Sequence, residues 1–466
     1  MYCVTQPNLA KVSKNRYQLL HSAMISTLIT ALFIVATTKK IDARSLPIIR
    51  DREIERLIND YAQPILKAAG LGNSRVSIKI VKSRIFNAFV VDGRTVFINS
   101  GALMQSDTPN QIVGVIAHEA GHIAGGDLAA LRARIKRDKT KLILLRILGL
   151  GAAIASGDVR AVTAGDDLLT RSLLVERRVQ EASADQRALI YLSQTKQSGL
   201  GMLETFQRFQ RQEYISDQHK DPFVRSHPVA TERLALLRNR VRQSAYYKKR
   251  DSPKMQLRHD MMRAKLFGYL ERPSIVFNRY PKHNRSLPAK YARAIATFFH
   301  VGNKGLAEAL SYADELIRIR PKYPYFYELK ADFLERSGQP SQATRYLRKA
   351  IILDPNSTLM KVRLGSLLLA GRGKAAADEV IGIVSQAIRL DAKYENEQPK
   401  SYRVLGQAYY TKGDIPRSYA ATAEAHFLAG NLEQARIFAK RAKQGLRQAS
   451  PTWQRMSEIE NFSTRS

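Results

Sequence analysis

The hydrophobic positions of residues 51–99 change from a helical spacing to an alternating one. Apolar residues recur three and four positions apart over 51–69, which predicts an amphipathic helix. Apolar and polar residues then alternate over 76–80, as in a half-buried strand. Two further strand patterns, 86–91 and 95–99, flank Asp92-Gly93, a dipeptide that favours a tight hairpin turn. The sequence therefore predicts a helix followed by a small antiparallel sheet.

A different pattern follows in residues 112–124, where nearly every position is apolar. The run contains no proline, and Glu119 is its only charged residue. Continuous hydrophobicity over more than three helical turns is typical of a buried helix. His118, Glu119 and His122 lie inside this run, so the sequence places polar side chains in a hydrophobic core.

A second apolar run spans residues 142–156, is interrupted only by Arg146, and follows a basic stretch at 132–141. Its length falls short of the roughly 20 residues that a membrane-spanning helix needs. We interpret the run as a helix that either packs within the protein or touches a membrane surface.

Beyond residue 289 the hydrophobic pattern becomes periodic. Ala309 and Pro321 recur as Ala343 and Pro355, each 34 residues later. This period is that of tetratricopeptide helix pairs, which stack into a solenoid whose concave face binds extended segments or partner proteins. Two further copies follow with looser spacing, so an ordinary helical bundle is the alternative interpretation.

These patterns together predict an α+β fold. A mainly helical domain with a small antiparallel sheet is expected at 45–245, and a basic linker with several prolines and a partial helix at 246–288. An all-α tetratricopeptide solenoid is expected over 289–450, followed by a carboxy-terminal tail at 451–466.

Composition changes this picture mainly through charge. The chain of 466 residues carries 75 Lys and Arg against 41 Asp and Glu, a formal net charge of +34. Such an excess of positive charge indicates an acidic partner, either nucleic acid or an anionic lipid surface. The basic residues are dispersed and no base-stacking motif accompanies them, which argues against nucleic acid and favours peripheral contact with an anionic membrane.

The amino terminus has the pattern of an export signal. Three cations within residues 11–16 precede an uncharged stretch at 22–38, whose length is that of a signal peptide. We therefore expect residues 1–44 to be a cleaved signal peptide, with an uncleaved membrane anchor as the alternative. Cys3, the only cysteine, lies in this segment, so the mature chain would form no internal disulfide.

The candidate chemistry lies in the segment from His118 to His122. Residues four apart on a helix share one face, so both imidazoles can reach a single ion. Zinc readily takes neutral histidine nitrogens, and Glu119 would lie beside the open coordination position, where it can accept a proton from water. This arrangement predicts a hydrolase with one Zn²⁺ per chain. The alternative is a helix whose histidines are satisfied by ordinary hydrogen bonds.

A third metal ligand must come from elsewhere in the chain. One common class of zinc site has a histidine six residues after the second ligand, but Leu128 occupies that position and excludes the class. We expect Glu181 instead, because three small residues follow it and allow its helix to approach closely. Asp127 is interpreted as a helix-end charge, and Glu176, which two arginines follow, as a surface residue.

Two further residues are candidates for supporting roles. Asp185, one turn after Glu181, can accept a proton from a ligand histidine and fix its tautomer, or it can pair with a neighbouring arginine. His227 precedes Pro228 at the start of a predicted helix, where the helix dipole favours a neutral imidazole. Its role is that of a fourth ligand blocking the water position, a hydrogen-bond donor to the oxyanion, or a helix cap alone.

Three motifs, His118 to His122, Glu181 to Asp185 and Ser226-His227-Pro228, in this order, resemble the HtpX-like family of zinc metallopeptidases. The export signal and the carboxy-terminal repeats make the chain similar to the periplasmic BepA-type group of that family, which acts on outer-membrane proteins that have failed to assemble. The chain differs from HtpX itself in lacking several membrane spans.

The resemblance implies a zincin-type fold for the amino-terminal domain and a role for each candidate residue. His118, His122 and Glu181 would hold the zinc, and Glu119 would be the general base. His227 would be a catalytic or regulatory histidine.

The same resemblance implies a substrate-binding strand and a location. Asn87, Ala88 and Phe89 resemble the substrate-side strand of the family, to which an extended peptide can add. Substrates would then be unfolded or misassembled proteins. The protein would lie in the periplasm, or on the inner membrane if the signal is not cleaved.

Two functional hypotheses follow. The first is an exported zinc endopeptidase that degrades misfolded or misassembled envelope and outer-membrane proteins, with its repeats docked to the outer-membrane assembly machinery. The second is a scaffold or chaperone built on the repeats, whose zinc site is structural or held shut by His227. Cleavage of an unfolded protein that depends on Glu119 separates the two.

Overall fold

The computed structural model describes residues 46–72, 76–91, 93–130, 133–134, 160–210, 227, 231–393 and 398–463, with the backbone alone for 160–174, 301, 303 and 393. The expected signal peptide and the apolar run at 142–156 lie outside the described residues. Within the described ranges, no helix combines the length and the hydrophobicity needed to cross a bilayer.

A four-stranded sheet in the order β1-β2-β4-β3 lies at the start of the described chain. β1 (Ile48–Ile49) is antiparallel to β2 (Ser77–Val81), and β3 (Ala88–Val90) is antiparallel to β4 (Thr95–Asn99). The antiparallel pairing of these two strands was thus predicted correctly, but β2 and β4 run parallel. The sheet is mixed, and the prediction of a purely antiparallel sheet was wrong. Alternation of apolar and polar residues indicates a strand but does not indicate which strand it pairs with. Here the well-buried β4 is an inner strand and the short β3 is an edge strand.

Helix α1 (Arg52–Ala68) covers the sheet. It begins at Asp51, whose carboxylate accepts a hydrogen bond from the backbone N–H of Ile54 and so caps the helix. Its predicted apolar face is buried, and the helix packs against β2 and the later helix α3. This packing fixes α3 from one side.

Helix α2 (Ser100–Gln105) leads from the sheet into α3 (Pro109–Gly125), the central helix of the amino-terminal domain. Pro109 occupies its first turn, where the missing N–H costs no hydrogen bond, and Gly126 ends it in the left-handed conformation with φ of 67°. His118 and Glu119 are each 1% exposed, so the predicted buried helix is confirmed.

Three helices enclose α3 from the other sides. They are α4 (Arg160–Gln194), α5 (Leu200–Phe209) and α6 (Thr231–Gln243); α4 and α5 pack directly on α3, and α6 packs on both of them. The helices touch at glycines: a Cβ on Gly121 would lie 2.7 Å from the carbonyl oxygen of Ala184. The backbone of α4 therefore lies directly against α3.

Helices α7 (Pro253–Leu270) and α8 (Pro273–Arg279) occupy the segment that was expected to be a linker with a partial helix. More of this segment is helical than its prolines suggested, because Pro253 and Pro273 each begin a helix rather than break one. Met262 and Leu266 of α7 belong to the core of the amino-terminal domain. The segment is thus packed against the amino-terminal domain.

The remaining helices each pack against the next helix along the chain. They are α9 (Leu287–Val301), α10 (Leu306–Ile319), α11 (Pro324–Arg336), α12 (Pro340–Leu353), α13 (Thr358–Arg372), α14 (Ala377–Lys393), α15 (Pro399–Lys412), α16 (Ile415–Leu428), α17 (Leu432–Gly445) and α18 (Pro451–Asn461). The carboxy-terminal half of the chain is therefore an array of helices in sequence order.

Candidate metal centre and active site

Four side chains from three parts of the amino-terminal domain meet at one point. His118 and His122 come from α3, Glu181 from α4, and His227 from the segment between α5 and α6. One ligand atom of each lies within 4.8 Å of the corresponding atoms of the other three. Three of the four residues are buried, and His122 is partly buried. The structure thus brings together residues that are 109 positions apart along the chain.

The inner nitrogens of the two α3 histidines face each other and the Glu181 carboxylate. The Nε2 atoms of His118 and His122 are 3.0 Å apart. Glu181 Oε2 lies 3.3 Å from His118 Nε2, and its Oε1 lies 3.4 Å from His122 Nε2. Two nitrogens and a carboxylate therefore converge on one small volume.

The outer nitrogens of the same histidines are held by carboxylates. His118 Nδ1 lies 2.9 Å from Asp185 Oδ1, and His122 Nδ1 lies 2.7 Å from Asp127 Oδ2. A carboxylate accepts, so these contacts assign the proton of each neutral ring to Nδ1 and leave a lone pair on each Nε2. Two lone pairs and an anionic carboxylate at this spacing repel one another unless a cation lies among them. The donor set therefore fits a metal ion.

The negative charge around the two histidines also shifts the pKa values of the cluster. Burial alone would lower the pKa of His122, but hydrogen bonds to Asp127 and Glu181 outweigh it and raise the pKa to about 10. Burial alone would raise the pKa of Glu181, yet the neighbouring His227, His118 and His122 hold it well below its ordinary value. The site is an environment that attracts positive charge, so protons and a metal ion compete for it.

Asp127 is a member of the site that the sequence interpretation missed. It was interpreted as a helix-end charge off the ligand face, and it does not belong to the group of four converging residues. However, the left-handed turn at Gly126 brings its carboxylate back to His122. The Gly125-Gly126 pair, which begins three residues after the second histidine, is the signal that indicates such a return.

Asp185 has both of the contacts that were considered for it. It accepts from His118 Nδ1, and it also pairs with an arginine, Arg233 at the start of α6. Burial alone would raise the pKa of Asp185, but hydrogen bonds from Arg233 and His118 lower it. Arg233 itself carried no recognisable sequence signal. Glu176, the rival of Glu181, pairs with Arg134 and lies outside the converging group.

Glu119 lies beside the ligands with a carboxylate that is almost completely buried. Its exposed fraction is 1%, and its Oε1 atom has no hydrogen-bond partner within the part of the chain that the structure describes. His227 Nε2 approaches this oxygen to 3.5 Å, which is longer than a normal hydrogen bond. A buried carboxylate oxygen without a hydrogen bond is costly, and such an oxygen beside a metal site is suited to accept a proton.

His227 lies across the site rather than at its margin. Its Nδ1 atom is 3.1 Å from Glu181 Oε1 and 3.2 Å from His118 Nε2. Its Nε2 atom is 3.4 Å from the carbonyl oxygen of Ala88. The imidazole thus bridges the converging ligands and the edge of the sheet.

The expected substrate strand lies at this edge. β3 is the outer strand of the sheet and packs against α3. Asn87 accepts a hydrogen bond from the backbone N–H of Asn99, Ala88 is fully buried, and the Phe89 ring stacks on Phe97 with 5.3 Å between centroids. The three residues therefore form a well-packed strand edge beside His227.

Comparison with known proteins agrees with this geometry. Residues 49–241 match peptidase family M48. The beta-barrel assembly-enhancing proteases of Yersinia pestis and of Escherichia coli strain K12 are each 23% identical to the chain, over 84% of the chain and 79% of their own length. Metalloprotease LoiP of Escherichia coli strain K12 is 26% identical over 39% of the chain and 71% of its own length.

The family match spans the strands and helices that build the site, including α3, α4 and the segment with His227. M48 peptidases depend on a metal ion, and the converging nitrogens and carboxylate offer one a site. The likeness to the assembly-enhancing proteases continues through most of the carboxy-terminal helices. The resemblance read from the three motifs is confirmed: residues 49–241 match peptidase family M48, and the protein is a metallopeptidase similar to the assembly-enhancing proteases.

Proposed function

We propose that this protein is a zinc-dependent endopeptidase that degrades misfolded or misassembled envelope and outer-membrane proteins. One observation carries the proposal: two histidines of α3 and Glu181 of α4 converge beside the buried carboxylate of Glu119. Two imidazoles and one carboxylate are a ligand set that zinc prefers when one position stays open for catalysis. The names of the similar assembly-enhancing proteases support the client class.

In the proposed mechanism, His118, His122 and Glu181 hold the zinc, and Asp127 and Asp185 orient the two imidazoles. When bound, zinc supplies Lewis acidity that activates water and polarises the scissile carbonyl. Glu119 accepts a proton from the attacking water and passes it to the leaving amine. The burial of Glu119 keeps this proton transfer out of bulk solvent.

The edge strand β3 is the proposed substrate-binding element. Its backbone pairs with β4 on one side, and an extended peptide adds on the other side along Asn87, Ala88 and Phe89. Ala88 O lies 3.4 Å from His227, so a peptide bound along β3 runs past the ligands. Only a segment without its own strand partners can bind in this way, which favours unfolded or misassembled proteins.

We further propose that residues 289–450 form a tetratricopeptide solenoid that docks on the outer-membrane assembly machinery. Corresponding positions of the repeats have equivalent environments. Ala309 and Ala343, one period apart, are fully buried in successive second helices, and Gly338 and Gly430 share φ of 77° at the turns between paired helices. The domain bounds, the signal peptide at 1–44 and the periplasmic location are parts of the same proposal.

Peripheral contact with an anionic membrane is assigned to the end of α6 and the turn after it. This surface carries Arg240, Arg242, Lys248, Lys249 and Arg250, all exposed and without an ion pair in the described part of the chain. Each cation near an anionic bilayer contributes about 1 kcal/mol. The protein is expected to co-sediment with phosphatidylglycerol-containing vesicles. A variant with all five residues changed to glutamine should lose this binding. Equal binding by that variant contradicts the assignment.

The peptidase proposal is tested by Glu119→Gln. The amide keeps the shape of the side chain but cannot act as a base, so casein cleavage is expected to fall at least about 100-fold while zinc content stays at one per chain. Glu176→Gln, an acidic residue of α4 outside the converging group, is the matched control and should cleave normally. Undiminished cleavage by Glu119→Gln removes this residue from the mechanism.

The scaffold or chaperone hypothesis is favoured by a specific observation, the position of His227 across the ligands. With Nδ1 directed at Glu181 and His118 and Nε2 at Ala88 O, the imidazole lies between the ligand atoms and the proposed substrate-binding strand. We infer a resting state that His227 holds shut, so His227→Ala should cleave casein faster at unchanged zinc content. Slower turnover would instead assign His227 to stabilising the oxyanion.

A further inference from the structure

Arg233 is a buried cation in direct contact with the metal centre. Its exposed fraction is 8%, and its guanidinium lies over the ring of Phe206 at 4.8 Å. Phe206 in turn contacts His118 edge to face, with 5.6 Å between centroids. A charged side chain is rarely enclosed in this way unless specific anionic groups balance it.

The guanidinium contacts two carboxylates, the proposed zinc ligand Glu181 and Asp185, which orients a ligand histidine. Its Nε and Nη2 atoms donate to the two oxygens of Asp185, with Nη2 at 2.8 Å from Oδ1. Its Nη1 atom lies 3.0 Å from Glu181 Oε2. The planar fork of arginine permits this simultaneous contact, which the single ammonium of lysine cannot reproduce.

Each contact leaves the carboxylate with a defined orientation. Because Arg233 pairs with Oε2 of Glu181, the other oxygen, Oε1, faces His122 and His227. Because Arg233 takes both oxygens of Asp185, the carboxylate is fixed in the plane from which Oδ1 also reaches His118 Nδ1. One side chain therefore sets the direction of the glutamate and of one histidine.

The charges at the centre also require this cation. Glu119, Glu181 and Asp185 are buried, and Asp127, which contacts His122, is partly buried, so four carboxyl groups lie at the centre. A divalent ion would balance only part of their charge, and Arg233 is a buried cation that contacts two of them, Glu181 and Asp185. Removal of the guanidinium leaves Glu181 and Asp185 without the donor that fixes their oxygens, so the ligands lose their orientation and bind metal less well.

Arg233 connects this network to the segment that carries His227. It lies in the first turn of α6, six residues after His227, so its bonds to Asp185 and Glu181 tie the start of α6 to α4. His227 approaches the same Glu181 from the opposite end of this short segment. Arg233 and His227, six positions apart, therefore contact the same carboxylate.

We propose that Arg233 is a positioning residue that orients Glu181 and Asp185 and anchors the segment with His227, an inference that rests on the proposed zinc site. Zinc affinity, measured by competition with a chromophoric chelator, is the direct readout. Arg233→Gln should lower it 10- to 100-fold, as for other outer-shell partners of metal ligands. Arg233→Lys, which keeps the charge but not the fork, should give an intermediate affinity.

The matched control is Arg293→Gln. Arg293 is also buried, but it donates to the carbonyl oxygens of Tyr280, Pro281 and Asn284, away from the site. This variant should lose thermal stability without any change in zinc affinity. Loss of zinc affinity confined to the Arg233 variants supports the positioning role, and wild-type affinity in Arg233→Gln overturns it.

Two results of the Arg233 experiments are decided by further measurements. If Arg233→Gln does not fold, Arg233→Lys decides: weaker zinc binding at wild-type stability supports the proposal, and unchanged binding overturns it. Failure of the peptidase proposal is recognised independently, because the wild-type protein would then not cleave casein, whereas the Arg233 variants are judged by zinc affinity alone.

Discussion

At the scale of single residues, buried titratable groups in this protein are paired with specific partners. His259 of α7 is fully buried, with Nε2 at 2.9 Å from the carbonyl oxygen of Ser106 and Nδ1 at 3.1 Å from the Tyr61 hydroxyl. Nε2–H donates to Ser106, and Tyr61 donates to Nδ1, so the ring is held neutral. Burial lowers the pKa of His259 to about 4.

This lowered pKa predicts a loss of stability in mild acid. The unfolded chain takes up a proton at His259 near pH 6.5 and the folded chain only near pH 4, so the contribution is present above pH 6.5 and is lost as the pH falls. Between pH 7 and pH 5 the loss is about 2 kcal/mol. His259→Gln should lose less stability over this range in urea unfolding; an equal loss in both proteins contradicts the assignment.

The ligand residues were predictable from sequence because helical spacing and chemistry coincide in one segment. His118 and His122 share a face in any helix, whatever surrounds it. Asp127 and Arg233 were not predictable in the same way, because their roles depend on a turn at Gly126 and on the packing of α6 against α4. Contacts between distant segments leave little trace in local spacing.

At the scale of elements, the distance between α3 and α4 decides whether Glu181 reaches the two histidines. The closest approach is at Gly121, between the ligand histidines and the carbonyl of Ala184. The small residues after Glu181 indicated this close approach, and the helices were predictable from their periodicity. The order of the strands was not predictable, because β3 lies between β2 and β4 in the sequence and the parallel pairing of β2 with β4 depends on long-range packing.

Gly121→Ala is predicted to separate the two helices. A new Cβ would lie 2.7 Å from a backbone oxygen, which cannot move aside as a flexible side chain does. Overpacking of this kind costs about 1–3 kcal/mol and outweighs the gain of about 0.5–1 kcal/mol from replacing a helical glycine. We expect lower thermal stability and weaker zinc binding, measured by calorimetry and chelator competition.

Gly382→Ala is the matched control for this change. Gly382 lies in α14, and a Cβ there would meet no atom within 4 Å. The substitution should raise stability by about 0.5–1 kcal/mol and leave zinc binding unchanged. If Gly121→Ala behaves like this control, the helix contact does not set the geometry of the site.

At the scale of the whole molecule, buried polar contacts join the peptidase domain to the helical array. Arg52, at the start of α1, pairs with Asp354 at the end of α12. Its neighbour Glu53 accepts hydrogen bonds from the hydroxyls of Tyr291 and Tyr323. Since α1 also packs against α3, partner binding on the array has a structural path to the helix that carries the histidines.

Lys265 of α7 is the central cation of this junction. Its ammonium lies 2.7 Å from Asp51 and 3.1 Å from Glu53, and its side chain is 6% exposed. Burial alone would lower the pKa of Lys265, but these carboxylates raise it well above its ordinary value. The lysine is therefore charged, and the carboxylates depend on it.

Lys265→Met is predicted to destabilise the junction by about 3–5 kcal/mol, because it leaves buried carboxylates without a cation. Lys254→Met, an exposed lysine of the same helix without an ion pair in the described residues, should change stability by less than about 0.5 kcal/mol. Unfolding is followed by far-UV circular dichroism and by fluorescence of Trp453, the only tryptophan, which lies in α18. If the junction couples the two parts, both signals shift together to lower denaturant in Lys265→Met. A Trp453 transition that stays in place while the other signal shifts would show that the helical array unfolds independently of the peptidase domain.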